Sequence, residues 1–216
     1  MEVSKTQRSP EWYTQRLAKF TASEFHKLMA SGRNGQMFGK TALGYINDKV
    51  AEIITNGTIL DYKKIDAKSL EWGNTWEPVA KEKYFLKSGK MITDCGFFEV
   101  NEHFGASPDG LISDNEIAEI KCPYDTSNHI DNLRIKSTDE FISLRYEYYI
   151  QIQVQLLATG RKMANFISYD PRCIDSLSIK IIQIERDENI IHEIIEREKA
   201  ARAILDSIIA ELFRMV

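Results

Sequence analysis

Residues Gly105–Pro123 read GASPDGLISDNEIAEIKCP. The stretch sets an aspartate, Asp109, in a tight turn, and ten residues later places Glu119 and Lys121 two apart in an apolar setting. Ser107-Pro108-Asp109-Gly110 suits a β-turn, with proline pre-setting one dihedral and glycine closing it. Glu119 and Lys121 alternate with Ile117, Ile120 and Cys122, which predicts a strand with both charges on one face. Asp114-Asn115 is a good hairpin turn, so an adjacent strand can bring Asp109 to that face. Two carboxylates and the Ile120 carbonyl are hard oxygen donors suited to Mg²⁺, with Mn²⁺ able to substitute. Such a cation polarises a phosphodiester and acidifies water, and Lys121 can orient that water and offset transition-state charge. A surface hairpin with ordinary charges has the same local signals, so the decision lies in the rest of the chain.

A chain of 216 residues, 43% hydrophobic and 28% charged, can bury a full core as one domain spanning 1–216, with 1–8 as a loose N-terminal tail. No apolar run approaches the roughly 18 residues of a membrane span, and the N-terminus has no apolar signal core. Cys95, Cys122 and Cys173 form no C-x-x-C pair, so neither a zinc site nor a disulfide framework is indicated and a cytoplasmic setting is expected. The net charge of −4 argues against a nucleic-acid partner, but its distribution is uneven. Met1–Lys40 carries seven lysines and arginines against three glutamates, and acids outnumber bases from Ile182 onward. A basic front suits one phosphate-facing side.

Ser9-Pro10-Glu11 predicts a helix start running through Trp12, Arg16 and Leu17. Thr21-Ala22-Ser23-Glu24 is a capping-box pattern predicting a second helix with Phe25, Leu28 and Met29 inward. A third helix is expected over Thr41–Thr55, a loop over Asp61–Lys68, and a fourth helix over about Asn74–Lys87, with Glu77 beside Ala80, Lys81 and Tyr84. Strands are expected at Met91–Val100, Phe104–Ser107, Leu111–Ser113 and Ile117–Cys122, then a polar loop over Tyr124–Lys136. One long helix is expected over Asp139–Ala158, then strands at Asn165–Tyr169 and Ser176–Glu185 and a final helix to Phe213 capped by Asp187. The fold class is α/β or α+β: a small mixed central sheet flanked by helices.

Proline-aspartate, about ten residues, then glutamate-x-lysine is the pattern of the PD-(D/E)-x-K nuclease superfamily, whose restriction-endonuclease-like core this fold class resembles. Five blocks extend the likeness in order: WYTQRLAKFTASE (Trp12–Glu24), LEWGNTWE (Leu70–Glu77), SPDG before EIKCP, QIQ (Gln151–Gln153) and YDPR (Tyr169–Arg172). Together, over about Trp12–Arg186, they resemble the bacteriophage lambda exonuclease and YqaJ-type recombinase family. The resemblance implies a Mg²⁺-dependent 5′-to-3′ exonuclease on duplex DNA ends that releases mononucleotides and leaves 3′ single strands for recombination. It implies Asp109, Glu119, the Ile120 carbonyl and Glu77 around two Mg²⁺ ions, with Lys121 as catalytic lysine and Gln151 orienting lysine or substrate. Gln153 or Gln155 could serve instead; helical spacing puts Gln151 and Gln155 on one face and turns Gln153 away. Arg16, Ser23 and Ser107 fall on the family's 5′-phosphate contacts, and Leu70 on its apolar strand-separating wedge. Arginine suits phosphate by its fork geometry and Ser23 by its place at a helix N-terminus. A homotrimeric ring, a single-strand annealing protein as partner and a phage or prophage origin are also implied. Two alternatives share these residues: a PD-(D/E)-x-K endonuclease or structure-specific nuclease, and a non-catalytic DNA-end-binding module.

Overall fold

The protein is described here from a computed structural model covering residues 7–58 and 67–215. The first six residues of the expected tail and most of the expected 61–68 loop lie outside that range.

Helix α1 (Pro10–Arg16) is capped by the Ser9 hydroxyl, which accepts from the Trp12 N–H. Strand β1 (Phe20–Thr21) follows, then a 3₁₀ helix over Ala22–Lys27 in place of the expected α-helix. Thr21 is committed to pairing with Gly105, and its N–H donates to the Tyr45 hydroxyl, so its side chain makes no cap. Phe25, Leu28 and Met29 are buried as expected. Helix α2 (Lys40–Ile54) stops where Asn56 and Gly57 turn left-handed. Helix α3 (Ala67–Ser88) starts earlier than the sequence signals place it and carries Pro78 within it.

Strands β2 (Phe98–Asn101) and β3 (Phe104–Ala106) form with β1 a small sheet in the order β1-β3-β2. The expected strand from Met91 reduces to β2 and a single bridge, Thr93 to Leu111. The main sheet has the order β4-β5-β6-β7, from β4 (Gly110–Leu111), β5 (Glu116–Lys121), β6 (Met163–Tyr169) and β7 (Ile179–Glu185). It is mixed, as expected: β5 and β6 are parallel and the outer pairs antiparallel.

The expected loop after Pro123 is instead helix α4 (Thr126–Arg134), capped by Asp125. Its buried face carries His129 and Asn132, which bond to the Ser168 hydroxyl, and His129 also pairs with the Leu177 carbonyl. A polar buried face leaves no apolar period to read. The single long helix is two, α5 (Thr138–Leu144) and α6 (Tyr146–Thr159), broken at Arg145, whose side chain reaches Asn132 and the Asn128 carbonyl. Helix α7 (Glu188–Phe213) starts at Asp187, whose carboxylate accepts from the Asn189 and Ile190 N–H groups.

Central strand β5 is covered on both faces, as parallel-sheet strands are. Ala118 and Ile120 pack with Ala80 and Tyr84 of α3. Ile117 belongs to the other cluster, with Phe166, Ile150 and Ile152. Ile117 therefore shares the Glu119 side and does not alternate with it, and Glu119 and Lys121 lie on the α6 side of β5.

Candidate active site

The hairpin carries Asp109 to β5 as the turn chemistry predicts. Asp109 N–H donates to the Ala118 carbonyl at 3.1 Å, and its carboxylate Oδ2 accepts from the Ile120 N–H at 2.6 Å. Glu119 is 1% exposed. Its Oε1 accepts from Lys121 Nζ at 2.6 Å and Gln151 Nε2 at 2.7 Å, and its Oε2 from Gln155 Nε2 at 2.6 Å. The expected helical facing holds: Gln151 and Gln155 both reach Glu119, whereas Gln153 bonds the Glu185 carbonyl and the Asp187 N–H on the far side.

The electrostatics are those of crowded acids around one cation. Burial raises the Asp109 pKa well above the usual carboxylate range, the Glu119 and Glu77 charges push the same way, and Lys121 opposes them. Burial disfavours the Lys121 ammonium, but the Glu119 and Asp109 charges, with Tyr148, more than offset it, so its pKa is raised. Lys121 is therefore held as an ammonium, 4.9 Å from the Tyr148 ring centroid.

Glu77 stands on α3 but is drawn aside. Its carboxylate accepts from Arg8 Nη2 at 2.6 Å and Lys81 Nζ at 3.1 Å. The segment expected to be a loose tail is thus tied down at its end: Arg8 holds Glu77, and Gln7 donates to the Pro108 carbonyl at 2.5 Å. No local signal in the sequence marks either contact.

Ser107 is fixed from two sides. Its hydroxyl accepts from Trp12 Nε1 at 2.8 Å and its carbonyl from Gln155 Nε2 at 3.3 Å. Arg16 stacks on the same Trp12, 4.1 Å from the ring centroid, and among the described residues its guanidinium makes no hydrogen bond or ion pair. Trp12 is half-buried between Arg16 and the Ser107–Asp109 turn. Ser23 is exposed in the first turn of the 3₁₀ helix, which packs on α6. Leu70 is 47% exposed on the first turns of α3.

Two clefts open beside the acids. One, of about 450 Å³, is lined by Lys121, Tyr148, Tyr124, Asn128, Arg145 and Ser69, the neighbour of Leu70. The other, also about 450 Å³, is lined by Asp109, Glu77, Lys81, Arg8, Gln7 and Cys95. Lys121 and Asp109 thus line two separate openings.

A carboxylate turn, a glutamate and a lysine at the end of a mixed sheet's central strand define a nuclease of the PD-(D/E)-x-K type. Residues 11–162 match the YqaJ-like viral recombinase domain, and the chain belongs to that family. The fold is that of an alkaline exonuclease, LHK-Exo from Laribacter hongkongensis, with a TM-score of 0.81 and 32% identity over 96% of this chain and 97% of that one. The same protein in complex with dAMP matches with a TM-score of 0.79, 31% identity and the same coverage. A phage-related exonuclease from Haemophilus somnus 129PT shares the fold, with a TM-score of 0.74 and 20% identity over 90% and 96% of the two chains. No curated protein matches the sequence. Among the described residues no helix is long and apolar enough to cross a membrane.

Proposed function

We propose that this nuclease is a Mg²⁺-dependent 5′-to-3′ exonuclease of double-stranded DNA that releases mononucleotides and leaves 3′ single-stranded ends. One observation carries the reading: a buried Glu119 carboxylate, held by two glutamine amides, lies 2.6 Å from a lysine and faces the hairpin that brings Asp109 to the same strand. The match to an alkaline exonuclease over nearly the whole of both chains supports the reaction class.

The donor set fits a hard divalent cation. Asp109 is a carboxyl pushed up by burial and by two neighbouring acids, which is the charge excess that a dication relieves. Asp109, Glu119 and the Ile120 carbonyl would hold Mg²⁺, or Mn²⁺ in its place, with Glu77 reaching a second ion once released from Arg8 and Lys81. When bound, the cation polarises the phosphodiester and acidifies water. Lys121, kept as an ammonium, orients the attacking water and stabilises charge on the phosphorus oxygens. Gln151 keeps Glu119 and Lys121 in register.

Arg16 receives the 5′-phosphate, with Ser23 and Ser107 as further contacts. Among the described residues its guanidinium is stacked on Trp12 and makes no hydrogen bond or ion pair, which suits an anion receptor. Leu70, exposed beside the Lys121 cleft, parts the terminal base pair. A homotrimeric ring and a single-strand annealing protein as partner complete the reading, with the enzyme acting in a bacterial cytoplasm on behalf of a phage or prophage.

The test is time-resolved digestion of duplex labelled separately at each 5′ and 3′ end, with and without Mg²⁺. Mononucleotides released first from 5′-phosphorylated ends, and only with the cation, are expected. Cutting of closed circles under the same conditions would point to an endonuclease.

A further inference from the structure

We infer that Gln155 is a positioning residue for cation binding: its amide ties the Glu119 carboxylate to the Ser107–Asp109 turn and fixes the spacing of the two acids. The inference rests on the reading of Asp109 and Glu119 as cation ligands.

Gln155 Nε2 donates to Glu119 Oε2 at 2.6 Å and to the Ser107 carbonyl at 3.3 Å. Both partners are acceptors, so the amide orientation is dictated by chemistry; a carbonyl oxygen in that place would face two oxygens. One NH₂ group therefore bridges the two halves of the site across the hairpin.

A second observation sets Gln155 apart from a packing residue. It is 0% exposed, and among the described residues its own Oε1 has no hydrogen-bond partner. A buried orphan acceptor is costly, and an apolar side chain of the same shape would avoid it. Gln153, two residues away and equally buried, has both ends of its amide satisfied by backbone.

Counting lone pairs shows what the bridge does. An ionised carboxylate offers roughly four acceptor positions, two on each oxygen. Among the described residues, Lys121 and Gln151 take those of Glu119 Oε1, and Gln155 takes one on Oε2. One position on Oε2 is left. Glu119 can thus give a cation a single bond, and Gln155 sets the direction in which that bond points.

The experiment is calorimetric titration of Mn²⁺ into the full chain without DNA, for the native protein and for Gln155→Met, Gln153→Met and Asp109→Asn. Gln155→Met keeps the volume and loses both hydrogen bonds. Its Mn²⁺ dissociation constant should rise roughly 10- to 100-fold, the range found when outer partners of metal ligands are removed. Its melting temperature should fall by an amount comparable to Gln153→Met, because each variant loses two buried hydrogen bonds, so the Mn²⁺ affinity is what separates them. Gln155→Asn, one methylene too short to bridge, should show the same loss without an apolar group beside Glu119. Gln153→Met should lower the melting temperature and leave Mn²⁺ affinity within about twofold, because its partners lie outside the site. In digestion assays the Mg²⁺ concentration for half-maximal rate should rise in Gln155→Met by the same factor, with the KM for DNA unchanged. Native Mn²⁺ affinity in both Gln155 variants, with Asp109→Asn losing it, overturns the role of Gln155 alone. Native affinity in Asp109→Asn overturns the cation site on which it rests.

Discussion

Asp170, in the turn after β6, and Asp109, in the turn before β4, are aspartates taken largely out of water, and their surroundings push them in opposite directions. Asp170 accepts two hydrogen bonds from the Arg172 guanidinium, at 2.8 Å each, and one from the Arg172 N–H at 3.0 Å. Those bonds outweigh its burial and bring its pKa down to about 2. Asp109 has one backbone donor and two acidic neighbours, and its pKa is driven up. A carboxylate that serves stability is surrounded until it is settled as an anion. On the proposed function, Asp109 is instead left with excess negative charge for a cation to relieve, at a cost to the fold.

The comparison is tested most severely by removing the charge at each place. Lys121→Ala should lower the rate of nucleotide release about 10³-fold, on the order of 4 kcal/mol of transition-state stabilisation, and should also lower the melting temperature, because buried Glu119 loses its ion-pair partner. Unchanged Mg²⁺-dependent release would make the lysine a structural ion pair and the catalytic assignment wrong. Asp170→Asn should keep native catalytic constants and lose about 2 kcal/mol of stability at pH 7. The folded pKa of Asp170 lies below its usual 3.8, so this contribution is present above that value and fades as pH falls through about 2. Denaturant melts of native and variant protein should therefore converge in strong acid.

Much of this contrast is legible in the sequence, because spacing carries it. Pro108-Asp109-Gly110 specifies its turn, Glu119 and Lys121 share a strand face, and Gln151 and Gln155 share a helix face, so local periodicity alone aligns four of these groups. The unread parts depend on long-range contacts or on polar burial. Helix α4 has no apolar stripe, because His129 and Asn132 are buried through hydrogen bonds to β6 and to Leu177. The break at Arg145 lies inside a continuous helical pattern and shows only in its reach to Asn132. Arg8 looks like tail and lands on Glu77, 69 residues away. Trp12 gives no local sign of its indole N–H partner, Ser107, which is 95 residues distant.

If Asp109 is crowded by design, neutralising it should help the fold while it harms the chemistry. Asp109→Asn keeps an oxygen for the Ile120 N–H and removes a negative charge beside Glu119 and Glu77. A raised folded pKa means that the ionised form costs folding free energy at neutral pH, and that the cost disappears as pH falls towards the usual value of 3.8. The metal-free variant should be more stable than the native protein at pH 8 by on the order of 1 kcal/mol, and the gain should shrink in acid. Thermal melts in a chelating buffer check this; a destabilised variant would mean that Asp109 is held by its surroundings as firmly as Asp170.

The smallest effect asks whether Asp170 is satisfied by charge or by shape. Arg172 does three things at once: it grips Asp170 with two parallel bonds, donates to the Pro123 carbonyl at 3.1 Å, and lies over the Trp72 ring at 4.4 Å from its centroid. Pro123 and Trp72 stand two residues after Lys121, the end of β5, and Leu70 of α3 respectively. Arg172→Lys keeps the positive charge and loses the fork and the flat stacking face. If geometry is what settles Asp170, the variant should lose roughly 1 kcal/mol. The Trp72 fluorescence should shift as its cover changes, with nucleotide release slowed less than in Lys121→Ala. Native stability in Arg172→Lys would mean that any cation suffices there, and the difference between the two aspartates would reduce to one neighbouring charge.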